Sequence, residues 1–244
     1  MRVLLSGKNL QEITPLLGPY EVDIVDHDPD LIICHGGDGA LLGAERKYPG
    51  IPKFPIRDAA TAPVCEEHDC ESRLESLFTD TARRAELIKL SGSVGDQQLI
   101  STNDIFLHNH ERVSALGYRV WIDDELYARE IIGDGVGIAT PHGSTAYYRS
   151  ITHSVFRVGL GLAFSNSTEV VNHLVLPEEC VVRIRILRGP AIMVGDNAPE
   201  SLRLAEGDEA VIHKISDKAI VLGLNEFMCR RCRQLRHKDK YKSA

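Results

Sequence analysis

Apolar positions follow two different rhythms along the 244-residue chain. Up to about residue 90, short apolar runs alternate with stretches of helical spacing. Arg2 to Ser6 reads as a strand, and Asn9 to Leu17 as a short helix capped by Asn9. Tyr20 to Val25 alternates as a second strand, followed by the turn Asp28-Pro29-Asp30. Leu31-Ile32-Ile33-Cys34 is apolar throughout, as a strand covered on both faces must be. Ala40 to Arg46 predicts a helix that stops at Tyr48-Pro49-Gly50, and Ile51 to Ile56 a further strand. Arg57 to His68 is irregular, and Glu71 to Thr79 is helical. This is the βαβ rhythm of a parallel, helix-covered sheet.

Beyond residue 80 the rhythm changes to strands joined by short polar turns. Ala85 to Leu90, Gln97 to Ile100, Ile105 to Asn109, Arg112 to Ile122, Leu126 to Ile132 and Val136 to Thr140 all read as strands. Ser144 to Ser150 and Ser154 to Phe164 interrupt them with helical spacing. Strands resume at Cys180 to Leu187, Ala191 to Val194, Ser201 to Leu204, Glu209 to Ile215 and Lys218 to Leu222. The pattern predicts an antiparallel β domain. Phe227 to Tyr241 is basic and helical, and its charges also fit a plain solvated face. The expected division is residues 1–84, an α/β domain; 85–224, a β-rich domain; and 225–244, a basic helix packing back on the first domain.

The apolar strand at 31–34 runs into His35-Gly36-Gly37-Asp38-Gly39 and then into a helix. Glycines let a ligand approach the backbone, and the amides at a helix start hold phosphate oxygens. Asp38 is out of place in a plain phosphate cradle, because a carboxylate repels phosphate unless it binds a metal or takes a proton. The pentapeptide also fits a glycine-rich turn with an aspartate cap.

Composition narrows the field. The chain is 43% hydrophobic and 26% charged, ordinary for a globular protein. A net charge of -7 argues against a general nucleic-acid binder, and any anion site must be built locally. No apolar run approaches a membrane span, and the N-terminus opens on a strand rather than an apolar signal region. The expected location is cytoplasmic, with no membrane partner. Of six cysteines, Cys34 reads as a small core residue. Cys65 with Cys70, and Cys229 with Cys232, would make four thiolates for zinc, against which stand reduced, unrelated thiols. No metal ligand is assigned. His68, His108, His110, His153 and His173 share no ligand spacing and read as ordinary polar or partly buried residues.

A second unusual stretch runs from Gly133 to Tyr147, GDGVGIATPHGSTAY. It reads as strand, turn and helix start, with Ser144 as cap. Small side chains, hydroxyls and amides there suit a ribose or phosphate, and equally a capped helix after a strand. Taken in order, GGDG, Asn103-Asp104 and GDGVGIATPHGSTAY resemble the NAD kinase family, whose members carry GGDGT, NE and a TPTGSTAY block. Leu174-Val175-Leu176-Pro177, the Gly195-Asp196-Asn197 turn and the Phe227/Gln234-Leu235-Arg236 end extend the resemblance over about residues 31 to 225 and beyond.

The resemblance implies a Rossmann-like α/β N-terminal domain and a β-sandwich-like C-terminal domain with the active site between them. It implies phosphorylation of the adenosine 2′-hydroxyl of NAD to give NADP, with ATP or polyphosphate as donor and Mg²⁺ assisting. It also implies a homodimer or homotetramer whose neighbouring subunit reaches the NAD site. Asp38 becomes the catalytic carboxylate. Gly36 and Gly37 line the donor phosphates, as Arg57 does in place of lost glycine amides. Gly39, Asn103, Asp104, Asp134, Thr145, Ala146, Tyr147 and Asn197 bind NAD. This chain departs from the family at Ala40 (Thr), Asp104 (Glu), His142 (Thr or Ser) and Asn197 (Gln). Phe54 to Pro63 stands where the family has a GIN-x-G-x-LGF segment, and Thr152-His153-Ser154 where it has GGP. Two other readings are a non-catalytic NAD- or NADP-binding protein of this fold, and a GGDG kinase for another hydroxyl substrate.

Overall fold

The computed structural model describes residues 1–111 and 113–238. Arg112 of one expected strand, and residues 239–241 of the expected C-terminal helix, lie outside the described residues. The chain divides into two compact units, Met1–Leu87 with Ala219–Ala244, and Ile88–Lys218. Each is described by itself.

The first unit is built on a parallel sheet. Strand β1 (Arg2–Gly7) pairs with β2 (Asp23–Ile24) and β3 (Leu31–His35), and β3 pairs with β4 (Lys53–Ile56). Helix α1 (Leu10–Ile13) follows β1, α2 (Asp38–Lys47) follows β3, and α3 (Cys70–Phe78) follows the irregular segment. Strand β3 is apolar from Leu31 to Cys34 because both faces are covered. Leu31 and Ile33 pack with Val3, Ile13, Phe54 and Leu74 on one face. Ile32 and Cys34 pack with Leu4 and Ala44 of α2 on the other. Burial pushes the Cys34 thiol up to about 12, against the pull of nearby Lys53, so it is an inert core residue.

Two expectations shift here. Only Asp23 and Ile24 of Tyr20–Val25 join the sheet, because the Tyr20 ring stacks on Phe78 of α3, 3.9 Å between centroids. Asn9 stands at the N-cap of α1, but its side chain does not cap the helix. It has φ +51°, and its amide donates to Asp58 at 2.9 Å. The helix itself tightens into a 3-10 turn at Thr14–Leu17, where Pro15 lacks an N–H.

Strands β5 (Arg84–Val94) and, near the end of the chain, β16 (Glu209–Leu222) carry the backbone between units. The second unit also contains β6 (Gln97–Ser101), β7 (Asp104–Asn109), β8 (Leu116–Ile122), β9 (Glu125–Gly133) and β10 (Gly135–Ala139). After α4 (Tyr147–Thr152) come β11 (Leu160–Ser165), β12 (His173–Leu176), β13 (Val182–Arg188), β14 (Ala191–Gly195) and β15 (Leu202–Leu204). One antiparallel sheet has the order β12-β11-β10-β7-β14-β15, and the other runs β16-β13-β8-β9. Ile105, Leu107, Val136 and Ile138 of the first meet Tyr118, Val120, Ile184 and Ile212 of the second in one core, as in a β-sandwich.

Ser154–Phe164 is not helical. Its end is strand β11, paired with β10 through Phe164 and Val136. Gly159 takes φ +79°, and a Cβ on Gly161 would collide with the Phe156 ring. The two expected strands at 209–215 and 218–222 are one, β16, whose last residues pair in parallel with β4 at Val221 and Lys53. Past it, Gly223 at φ +65° opens α5 (Leu224–Phe227), followed by α6 (Arg230–Lys238). The buried Arg73 guanidinium donates to the Gly223 carbonyl at 2.9 Å, which fixes this corner in the first unit.

Candidate active site

In the first unit the glycine turn is a strand-to-helix corner. The Gly36 N–H donates to the Ile56 carbonyl at 2.8 Å, and Gly36 has φ +144°, which favours glycine. Gly37 is the N-cap of α2, with no side-chain cap bond. Asp38 is therefore the first helical residue rather than the cap, a place where the helix dipole favours its negative charge. Gly37 and Gly39 are exposed, and Asp38 is half exposed at 49%.

Arg57 stands beside Asp38. One guanidinium nitrogen lies 3.3 Å from Asp38 Oδ1. Its Nε donates to the Phe227 carbonyl at 3.2 Å, and its guanidinium sits 3.9 Å above the Phe227 ring. Arg57 is 11% exposed and held on three sides, so its charge is preorganised. The structure thus brings together Gly36, Gly37, Asp38, Gly39 and Arg57.

In the second unit the organiser is a residue that sequence reasoning did not single out. Asp196 sits at the turn after β14 with φ +49°. Its carboxylate accepts from the Ser101 hydroxyl, from the Asn103 N–H at 2.6 Å, from the Asp104 N–H at 3.3 Å and from the Thr102 N–H at 2.9 Å. Its own N–H donates to the Asp104 carbonyl at 3.1 Å. The Asn103-Asp104 turn is thereby pinned. Asn197 beside it is exposed. The aspartate inside the Gly195-Asp196-Asn197 turn was the available signal, but its partners lie more than ninety residues away.

Thr140 locks the same turn from β10. Its hydroxyl donates to the Thr102 carbonyl at 2.7 Å, and its N–H to the Asn103 carbonyl at 2.8 Å. Gly143 packs so close that a Cβ would collide with the Asn103 carbonyl oxygen. Ser144 is buried and does not cap a helix. Its hydroxyl lies 2.7 Å from the Pro141 carbonyl and 3.0 Å from that of Phe156. Thr145, Ala146 and Tyr147 follow as an exposed run, with the Tyr147 ring edge-on to Phe106 at 4.8 Å and tilted on His108 at 5.4 Å. Asn103, Asp104, Thr145, Ala146, Tyr147 and Asn197 all flank this corner. Asp134 does not. It is exposed at the far end of β10, where Asn166 donates to it at 2.9 Å, roughly 20 Å along the strand from Thr140.

Asn103 and Asp104 are buried, and Asn103 Oδ1 and Asp104 Oδ2 have no hydrogen-bond partner among the described residues. Burial, and then the neighbouring Asp196 charge, raise the Asp104 carboxyl to about 7. Two acceptors without donors form a site that a ligand bearing hydroxyl or amino groups would satisfy.

No family model matches the chain. It is 29% identical over 236 residues to an NAD kinase of Methanothermobacter thermautotrophicus, covering 92% of this chain and 82% of that one. It is 31% identical over 154 residues to an NAD kinase of Clostridium perfringens, a match that spans only about half of either protein, 56% and 55%. The solved NAD kinase of Archaeoglobus fulgidus in complex with ATP superposes with a TM-score of 0.75 over 93% of this chain and 96% of that one, at 20% identity. The yeast NADH kinase complexed with NADH gives 0.78 over 96% and 86%, at 19% identity. The chain is similar to the NAD kinases along most of its length. It shares their fold.

Against the NAD kinase pattern, the diverged segment at 54–63 begins as β4 and continues into the residues that carry Arg57 and Asp58. Asp58 is buried and accepts from the Ala60 N–H and from Asn9, both at 2.9 Å. The segment is therefore tied down without the family's glycines. At the other divergence, Thr152-His153-Ser154 closes α4, with His153 in the left-handed conformation at φ +55° that a glycine usually supplies. Cys70 and His68 exchange their expected places. Cys70 packs on the apolar cluster of the first unit, while His68 lies beside Cys65, Cys229 and Cys232. Among the described residues, no helix is long and apolar enough to cross a membrane.

Proposed function

We propose that this chain is an NAD kinase, transferring the terminal phosphoryl group of ATP to the adenosine 2′-hydroxyl of NAD. The observation that carries the acceptor half is the buried, donorless pair Asn103 Oδ1 and Asp104 Oδ2, on a turn held by Asp196 and Thr140. Adenosine presents amino and hydroxyl donors of the kind this pair needs. Thr145, Ala146, Tyr147 and Asn197 border the same corner and would line the nucleoside.

On the donor side, the exposed Gly37 backbone and the Arg57 guanidinium answer phosphate charge, while Gly36, its own N–H held by the Ile56 carbonyl, shapes the turn that lines the phosphates, and Gly39 beside it borders NAD. The Asp38 carboxylate takes the 2′-hydroxyl proton as that oxygen attacks the terminal phosphorus, and ADP leaves as its bond to that phosphorus breaks. Such a transfer depends mainly on positioning and charge neutralisation. One half-exposed carboxylate with Oδ1 on Arg57 fits Mg²⁺, which keeps most of its waters and binds through one or two carboxylates and substrate phosphates. Asp38 is the residue that would hold it, and the ion would neutralise phosphate charge. Polyphosphate as an alternative donor rests on the resemblance alone. A homodimer or homotetramer is part of this reading, because Asp134 lies far from its own Asn103-Asp104 turn and would serve the nicotinamide end of a neighbouring copy's NAD.

The test is purified protein with NAD or NADH, Mg²⁺, and ATP or polyphosphate, read as NADP or NADPH formed. Product with any donor supports the reading. NAD binding by calorimetry with no product from any donor would leave the non-catalytic dinucleotide binder instead.

A further inference from the structure

The first unit carries a cluster that phosphoryl transfer does not use. Cys65, His68, Cys229 and Cys232 converge so that their four donor atoms lie within 4.8 Å of one another. Cys65 Sγ is 3.1 Å from His68 Nδ1 and 3.4 Å from Cys232 Sγ, and Cys232 Sγ is 3.7 Å from His68 Nδ1. A tetrahedral zinc with bonds of about 2.3 Å to sulfur and 2.0 Å to nitrogen requires donor separations of about 3.5–3.8 Å. The cluster is close to those dimensions before any ion is added.

Spacing explains the convergence. Cys65-x-x-His68 and Cys229-x-x-Cys232 are two pairs of equal span, each closing a tight turn. Cys65 to His68 spans a 3-10 turn, and Cys229 to Cys232 the start of α6. Backbone amides support the sulfurs: the Cys65 N–H lies 3.3 Å from Cys232 Sγ, and the Arg231 and Cys232 amides serve Cys229. Cys65 and Cys232 are buried, with His68 and Cys229 partly so. Plain hydrophobic packing of thiols gives no reason for an imidazole to join them. A Cys65–Cys232 disulfide would need the sulfurs at about 2.05 Å and would leave Cys229 and His68 converging without a role.

We propose that Cys65, His68, Cys229 and Cys232 hold one structural zinc ion. Three thiolates and one imidazole are a zinc donor set, and four protein ligands leave no open position for catalysis. The ion would clip the segment after Arg57 to the start of α6. That segment stands where the NAD kinase relatives have a glycine-rich loop, so a metal clip would take over the ordering that loop chemistry provides elsewhere. The proposal is independent of the kinase reading.

The experiment uses the full chain, purified under reducing conditions, and measures bound metal, then adds Zn²⁺ or Co²⁺ to chelator-treated protein. About one zinc per chain is expected, bound as prepared or on add-back. Cobalt should show the intense visible absorption of a tetrahedral thiolate site. Cys70→Ser should keep full stoichiometry, and His68→Cys should keep it with an altered cobalt spectrum. Cys229→Ser/Cys232→Ser should lose it. Because that double variant is open to misfolding, the Cys70→Ser and His68→Cys results decide alongside the wild-type titration. Less than about 0.1 equivalent of zinc after add-back to reduced protein, no cobalt thiolate spectrum, or metal lost with Cys70→Ser would overturn the proposal. So would a Cys65–Cys232 disulfide in protein that takes up no metal once reduced.

Discussion

The two units each present an acid to the proposed reaction, and they hold it in opposite ways. Asp38 is half exposed at a helix start, balanced by one guanidinium 3.3 Å away. Asp104 is buried on a turn whose three amides are all taken by another acid, Asp196. The first arrangement leaves a carboxylate open to solvent and to a substrate. The second spends its hydrogen bonds on shape and leaves the recognising atoms without donors. A residue can therefore be indispensable to chemistry with little effect on folding, or the reverse, and the difference is one of burial and partners.

The largest expected effect breaks the comparison on the first side. Asp38→Ala should lower NADP formation by roughly 10³-fold or more while leaving thermal stability and NAD affinity nearly unchanged. Normal turnover would remove Asp38 from its role. Next, Asp196→Ala strands the buried Thr102 and Asn103 amides at once, while the Ser101 hydroxyl and the Asp104 N–H keep partners within the turn, and should cost about 2–4 kcal/mol in chemical denaturation. NAD affinity should fall with it, as the Asn103-Asp104 turn loosens.

The third prediction follows from the Asp104 carboxyl at about 7, against an ordinary 3.8. Between these values the folded protein keeps a proton that the unfolded chain has lost. Stability therefore falls as pH rises from about 4 to 7, and the penalty is complete above 7. Asp104→Asn removes it, so the variant's stability relative to the parent should be about 2–3 kcal/mol better at pH 8 than at pH 4, read from paired denaturation curves. An equal difference at both pH values would mean that Asp104 titrates normally. Arg57→Ala is expected to raise the KM for ATP about tenfold, by loss of a charge-assisted contact. The smallest effect is for Tyr147→Ala, whose ring meets Phe106 edge-on and is tilted on His108. NAD binding should weaken by about three- to fivefold in calorimetry, with stability little changed.

Much of this was legible wherever the informative residues are neighbours in the chain. The all-apolar run Leu31 to Cys34 announced a strand covered on both faces, and the glycines after it a strand-to-helix corner. The Thr140 to Tyr147 block was recognisable as a turn built from small side chains. The failures share one cause. Ser154 to Phe164 has helical spacing, but Gly159 at φ +79° and the crowding of Gly161 by Phe156 make its end a strand. Asn9 has the chemistry of a cap and instead reaches Asp58, forty-nine residues on.

The sequence by itself determined the alternating strand and helix rhythm of the first unit, the glycine corner with its carboxylate, and the family to which those motifs point. These depend on backbone freedom and on side chains a few residues apart. The tertiary structure alone decided which distant groups meet. It put Asp196 rather than Asn197 beneath the Asn103-Asp104 turn, Arg57 against Asp38, and His68 rather than Cys70 among the thiols. A hydrogen bond or a metal ligand depends on separations of a few ångströms, and local spacing cannot specify those between residues that folding brings together from opposite ends of the chain.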